Sequence, residues 1–196
     1  MNIKNSLILM AGLSFGSLFL ASCGDDEPEA EEVEEIITDV TLIFTPVEGG
    51  TAVTATATDP DGEGAQSLQV NGSIELAANT TYKLTMNLVN GLEDESISEE
   101  VKEEDDEHQF FFGFTNSIFS DPTGNGNIDS RNDDINYQDQ DDGGLPLGLE
   151  TEWTTGDAAT GTFRVVLKHQ PDIKSSTSTA SDGESDMDIT WTLNIQ

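Results

Sequence analysis

The chain has only two histidines, His108 and His169, and both stand close to carboxylates. Glu107 directly precedes the first, and Asp172 follows the second by three positions. Each histidine shares the parity of the apolar residues in its predicted strand. If the two strands are neighbours with matching ends, the four side chains converge on a zinc, iron or copper ion, because imidazole and carboxylate suit these metals. The alternative is that each ring caps the rim of the core and bonds a backbone carbonyl or a carboxylate. The choice depends on the strand register.

Two oxygen-rich loops are a second candidate for cation binding. Calcium takes about six to eight oxygen ligands from closely spaced groups, with glycine at the bend. The first loop offers Asp59, Asp61 and Glu63, and the second offers Asp121, Asn125, Asn127 and Asp129. Neither loop has the spacing of an EF-hand with its closing glutamate. The same residue types are typical of turns, so turn formation is the alternative interpretation.

Catalytic motifs are missing from the sequence. It contains no G-x-S-x-G elbow, no H-E-x-x-H motif and no phosphate-binding glycine loop. Pairs of carboxylates arise by chance in a chain this acidic, so a glycosidase pair cannot be assigned. We therefore predict a non-enzymatic protein.

The single cysteine, Cys23, follows an apolar run from Leu7 to Leu20 and a basic residue, Lys4. This is the layout of an export signal, and it is too short to span a bilayer. Leu20-Ala21-Ser22-Cys23 resembles a bacterial lipobox. That resemblance implies removal of residues 1–22 and attachment of a diacylglycerol to Cys23. Each buried methylene of a lipid contributes about 0.8 kcal/mol, so several acyl chains anchor a domain firmly to a membrane. The alternative is a free thiol in a leader.

An acid-rich segment follows the cysteine directly and predicts a disordered, lipidated tether over residues 23–35. Acidic runs at this position resemble the surface-export signal of Bacteroidota-type lipoproteins. The resemblance implies a location on the outer face of the outer membrane. A plain solvated spacer facing the periplasm is the alternative.

The formal net charge is −32, from 39 acidic and seven basic residues. This excludes ordinary nucleic-acid binding, which needs cationic groups against phosphates. It also argues against a domain lying flat on an anionic leaflet. Cations, cationic proteins and neutral ligands are the partners that such a surface favours.

In residues 36–196, apolar residues alternate with polar ones between turn residues. This pattern predicts one all-β domain, a single antiparallel β-sandwich that is Ig-like or related. One short acidic helix is expected after Ser96, where Ser96 and Glu99 have capping-box spacing and Ile97 and Val101 form an apolar ridge. The insertion Ser120–Gly144 is expected to be a loop or a mobile edge hairpin. About eight strands are predicted: at 40–45, 53–58, 67–76, 81–90, 109–116, 147–154, 162–169 and 188–195.

Three segments, together with the signal and the acidic tether, look like a family of small flavobacterial lipoproteins of undefined function: Glu104–Phe110, Gly161–Pro171 and Asp186–Trp191. The resemblance covers nearly the whole mature chain, and it implies no particular activity because the function of the family is undefined. Lipoproteins of this type are often partners of TonB-dependent outer-membrane transporters.

The resulting prediction is a surface-anchored binding or accessory subunit, with a metal or metal complex as a candidate ligand. One alternative is an assembly subunit of an outer-membrane complex that uses an exposed edge strand and no small ligand. Another is a carbohydrate-binding module, for which Trp153 and Tyr137 are the candidate stacking residues.

Overall fold

The computed structural model describes residues 35–62 and 67–196. Cys23, the leader and all but the last residue of the predicted tether lie outside these ranges. Within them the chain forms eleven strands and one helix. The elements are β1 (Asp39–Pro46), β2 (Val53–Thr58), β3 (Gln69–Asn71), β4 (Ile74–Leu76), β5 (Thr81–Val89), α1 (Ile97–Glu103), β6 (His108–Phe114), β7 (Phe119–Asp121), β8 (Asn136–Tyr137), β9 (Glu150–Thr155), β10 (Ala159–His169) and β11 (Glu184–Ile195).

These strands form two sheets, which confirms the predicted all-β sandwich class. The larger sheet has the order β3-β2-β1-β5-β9-β7, with β8 also paired to β9, and the smaller has the order β4-β11-β10-β6. The long strands bury alternate residues, as strands with one face on a core do. All pairs are antiparallel except β4 with β11, which is parallel.

The structure has more strands than predicted, for two reasons. The segment 67–76, expected as one strand, divides at Gly72, whose positive φ of 83° ends an extended run. As a result β3 joins the larger sheet and β4 the smaller one. The other additions, β7 and β8, are short pieces of three and two residues that pair with β9. The strand expected from Leu147 begins at Glu150.

Aromatic side chains fill the space between the sheets. Trp153 is fully buried, and four phenylalanine rings have centroids 4.9 to 5.4 Å from its own, namely Phe112, Phe114, Phe119 and Phe163. Rings in edge-on and tilted contacts of this kind add to the area that they bury. The alternate apolar residues of the strands predicted at 81–90, 109–116, 162–169 and 188–195 are buried in this core: Tyr82, Leu84, Met86, Leu88, Phe110, Phe112, Phe114, Phe163, Val165, Leu167, Ile189, Trp191, Leu193 and Ile195.

The insertion between β7 and β9 covers the outer edge of β6. The backbone N–H of Asn127 donates to Phe112 O at 2.8 Å, and the N–H groups of Phe114 and Phe110 donate to Asn125 O and Leu147 O. The Oδ1 atom of Asn127 accepts from Phe112 N–H at 2.9 Å. The segment expected as a loop or a mobile edge hairpin is mostly irregular, but it packs along β6 and satisfies backbone groups that an open edge would expose.

The single described helix, α1, begins after its N-cap Ser96, as the sequence predicts, and buries Ile97 and Val101. Its Ser98 hydroxyl accepts from Leu88 N–H of β5 at 2.7 Å. The helix ends at Glu103, and the chain then turns through Glu104 into β6. This turn places carboxylates of α1 beside the first residue of β6. Among the described residues, no helix is long and apolar enough to cross a membrane.

Candidate metal centre

The register of β6 and β10 brings the two histidines together. His169, the last residue of β10, pairs directly with His108, the first residue of β6. Both side chains point to the inner face of the small sheet, and their rings stack with centroids 4.5 Å apart and planes 6° from parallel. The convergence expected for matching strand ends is present in the structure.

The His108 ring is fully buried, and its bonding fixes the tautomer. Its Nδ1 lies 3.2 Å from the backbone oxygen of Glu104. Since a carbonyl oxygen only accepts, Nδ1 carries the proton in the neutral ring, and Nε2 carries a lone pair. Within the described part of the chain, Nε2 has no hydrogen-bond partner. Burial lowers the pKa of His108 to about 4, and His169 adds to this effect. The ring is therefore neutral at physiological pH, with a free lone pair on Nε2.

A β-bulge places a carboxyl opposite that lone pair. Leu167 pairs with Met187 and Lys168 with Ser185, so Asp186 is the extra residue of β11. A bulge redirects a side chain that would otherwise follow the strand alternation. The Oδ2 atom of Asp186 lies 3.8 Å from His108 Nε2, and neither side chain is exposed. This separation is too long for a hydrogen bond.

The second ring, His169, contacts the predicted partner Glu107. Its Nε2 lies 3.2 Å from Glu107 Oε2, and the two side chains are 11% and 38% exposed. Both histidines therefore also make the local bonds that the alternative interpretation expects, one with a carbonyl and one with a carboxylate.

Glu104 completes a group that the sequence did not indicate. Glu104, His108 and His169 each offer one ligand atom, and these atoms lie within 4.8 Å of one another. In the described part of the chain, this is the one such group of three histidine, cysteine or acidic side chains. Partial burial raises the pKa of Glu104, and Glu107 and Glu100 raise it further. The spacing of four residues from Glu104 to His108, across a helix end, is the signal that could have identified it.

More carboxyl groups surround this end of the sandwich. Glu35, the first described residue, is hydrogen-bonded to Glu100 of α1. Burial, together with the neighbouring Glu100, Asp186 and Glu104, raises the pKa of Glu35 to about 8. The nearby cation Lys174 is engaged elsewhere, with Nζ 3.0 Å from Asp141 Oδ2. The cluster thus has more negative than positive groups unless protons or another cation are bound.

The fourth predicted ligand, Asp172, lies apart from this group. It has a left-handed backbone, with φ of 59°, and it lines an acidic cavity of about 560 Å³. Glu107 also lines that cavity, so it stands between the cavity and His169.

In the predicted calcium loops, the oxygens of Asp59 and Asn127 form local hydrogen bonds. The Oδ1 atom of Asp59 accepts from Asp61 N–H at 3.2 Å, which is an Asx turn. Asn127 holds the edge of β6 with its oxygen, while its Nδ2 donates to Tyr137 Oη. Asp121 and Asp129 are exposed, Asn125 accepts from β6 through its backbone, and Glu63 lies outside the described residues.

Of the two proposed sugar-stacking residues, Trp153 offers no free ring face and Tyr137 is half-buried. Trp153 is fully buried in the aromatic core. Tyr137 packs against the core, and its hydroxyl donates to Phe110 O at 2.6 Å. The expectation for Trp153 is wrong because its strand turns that side chain inward.

Imidazole and carboxylate together are a ligand set for zinc, iron or copper. Parallel rings cannot both direct in-plane lone pairs at one ion, so His169 has to rotate out of its stack to join His108 at a metal. Fold and site define a β-sandwich with a cluster of imidazoles and carboxyls at one end. No family model, no curated protein and no solved structure matches the chain.

Proposed function

We propose that the protein is a lipid-anchored, non-enzymatic binding subunit of the outer-membrane surface, and that its domain binds a divalent transition-metal ion between His108 and His169. The observation that carries this proposal is the His108 Nε2 atom, which is buried, unprotonated and without a hydrogen-bond partner in the described part of the chain. A buried acceptor left without a partner is destabilising by about 1–3 kcal/mol, and a metal ion would remove that penalty.

Charge balance supports the same proposal. Glu104 and Asp186 lie around a neutral imidazole, and Glu107 contacts its neighbour. Carboxylates gathered this closely repel one another unless a cation is present. A divalent ion supplies that cation and binds most tightly when its ligands are deprotonated.

The anchor and the partner follow from the sequence alone. A diacylglycerol at Cys23 would hold the domain at the membrane, with the acidic tether presenting it at the cell surface. A TonB-dependent transporter is the proposed partner, since the lipoproteins that the chain resembles are often partners of such transporters. The alternative, an assembly subunit joined through an exposed edge strand, has weaker support. The insertion covers the edge of β6, and among the described strands the other sheet edges, β3, β4 and β7, have three residues each.

Calorimetric titration tests the metal site directly. The full-length chain, purified in detergent and stripped with EDTA, is titrated separately with Zn²⁺, Fe²⁺, Cu²⁺ and Ca²⁺. We expect saturable binding of one transition-metal ion per chain. His108→Gln and His169→Gln should each weaken it by about a hundredfold or more, because each removes a direct ligand.

Asp172→Asn is the matched control, since it removes a nearby carboxylate that lies apart from the His108 and His169 pair. Its affinity should equal that of the unmodified chain. Circular dichroism shows whether each variant is folded. Absence of saturable binding, or binding that neither histidine variant changes, would contradict the proposal.

A further inference from the structure

We infer that the ion also binds the segment that leads to the anchor: Asp186 and Glu35 join His108 around it, so that an occupied site fastens residues 35–38 to the end of the sandwich. This inference rests on the proposed metal site and adds two ligands to it. It also gives binding a structural consequence at the junction between domain and tether.

The first step is the pairing of His108 with Asp186. Zinc binds nitrogen and oxygen at about 2.0–2.2 Å, which places two tetrahedral ligand atoms about 3.3 Å apart. The observed separation is 3.8 Å, so a shift of about half an ångström brings both onto one ion. Both side chains are buried. His108 is paired with His169, and the residues on either side of Asp186, Ser185 and Met187, are paired with β10. The pair is therefore largely preorganised.

The second step is the position of Glu35. Glu35 and Asp186 line one cavity of about 340 Å³, together with Ile36 and Met187. The cavity is open to solvent, and Asp186 is the residue that it shares with the His108 pair. Glu35 is already close to the other acids of the cluster, since it is hydrogen-bonded to Glu100.

The third step is the attachment of the segment to the domain. Ile37 is buried in the core, and Thr38 N–H donates to Val89 O of β5 at 3.0 Å. Glu35 stands just before these fixed residues, and its carboxyl group is hydrogen-bonded to Glu100. A cation bound by both Glu35 and Asp186 would hold the segment in place.

The test combines zinc titration with hydrogen exchange on the full-length chain in detergent. Glu35→Gln should weaken Zn²⁺ binding about ten- to a hundredfold, and Asp186→Asn at least as much. Glu99→Gln makes the same chemical change at an exposed position of α1 and should leave the affinity within about twofold. Zn²⁺ should slow amide exchange at residues 36–38 in the unmodified chain and in Glu99→Gln, but not in Glu35→Gln.

Each outcome bears on one of the two proposals. If the unmodified chain binds Zn²⁺ through its histidines, yet Glu35→Gln matches it in affinity and in exchange, the inference is overturned and the metal site remains. If the unmodified chain binds no Zn²⁺, both fail. Should Asp186→Asn not fold, Glu35→Gln still decides, because Glu35 is half-buried at the margin of the domain.

Discussion

Replacing Asn127 by alanine tests whether the insertion serves to close the edge of β6. Asn127 is 5% exposed, its Oδ1 accepts from Phe112 N–H at 2.9 Å, and its Nδ2 donates to Tyr137 Oη at 2.8 Å. Alanine removes both bonds. It also leaves the Phe112 N–H without this acceptor at a fully buried position of a core strand.

The magnitude follows from these two losses. An unsatisfied buried N–H is destabilising by about 1–3 kcal/mol, and the second bond contributes about 0.5–1.5 kcal/mol. We expect the free energy of unfolding to fall by about 2–4 kcal/mol. The free energy of unfolding typically falls by about 2 kcal/mol per molar urea. The midpoint of urea unfolding should therefore fall by about 1–2 M, while this dependence on urea stays unchanged.

Asp129→Ala is the control, because Asp129 is an exposed residue of the same insertion and its loss should change the free energy of unfolding by less than about 0.5 kcal/mol. Both measurements are made in EDTA and again in millimolar Ca²⁺. A change below 0.5 kcal/mol for Asn127→Ala would refute the edge-closing role. A large fall in the free energy of unfolding that is seen only with Ca²⁺ would indicate that Asn127 binds calcium, as the sequence predicted.

Two further predictions concern the backbone and pH. Gly126→Ala should lower the free energy of unfolding by about 2–4 kcal/mol in thermal melts, because φ is +93° and the new Cβ would lie 2.0 Å from Phe112 O; an unchanged melting temperature would contradict this. In EDTA, the free energy of unfolding should fall as pH rises from about 6.5 to 8. Below about 6.5 the lowered pKa of His108 acts in the opposite direction, because the unfolded state then binds a proton that the buried ring does not. The pKa of Glu35 is raised to about 8 beside Glu100, Glu104 and Asp186, so the folded state keeps a proton that the unfolded state releases. Solvent screening limits this loss to about 1–2 kcal/mol, and Glu35→Gln should flatten the pH profile.

The regular strands and the helix were predictable because their patterns are local. Alternation at β5 and β11 marks the buried face, and Ser96 with Ile97 and Val101 marks the helix. The division of 67–76 between two sheets was not predictable, because alternation continues across Gly72 and only tertiary pairing separates the halves. The packed insertion was missed because it is held by backbone and Asn127 hydrogen bonds, which leave no apolar pattern.

The candidate site was predictable in part. Strand parity placed His108 and His169 on the inner face, and the order of the sheet then made them neighbours. Glu107 was expected beside a histidine because it precedes one. Asp186 could not be found, because a bulge turns it inward against the alternation of β11. Glu35 lies within the predicted tether, and only the tertiary structure brings it to the cluster.

The proposed metal site depends chiefly on the surroundings of His108. The position is fully buried and continues the row that Phe110 and Phe112 occupy, so an apolar ring would fill it without an unpartnered nitrogen. The hydrogen bond between Nδ1 and Glu104 O satisfies only one of the two ring nitrogens of His108. The other side faces a carboxyl that a bulge has turned inward, at a distance that suits a shared ion better than a hydrogen bond. Residues that lower the stability of a fold without improving its packing are expected at functional sites. Two such residues, the buried His108 and the bulged Asp186, face each other here.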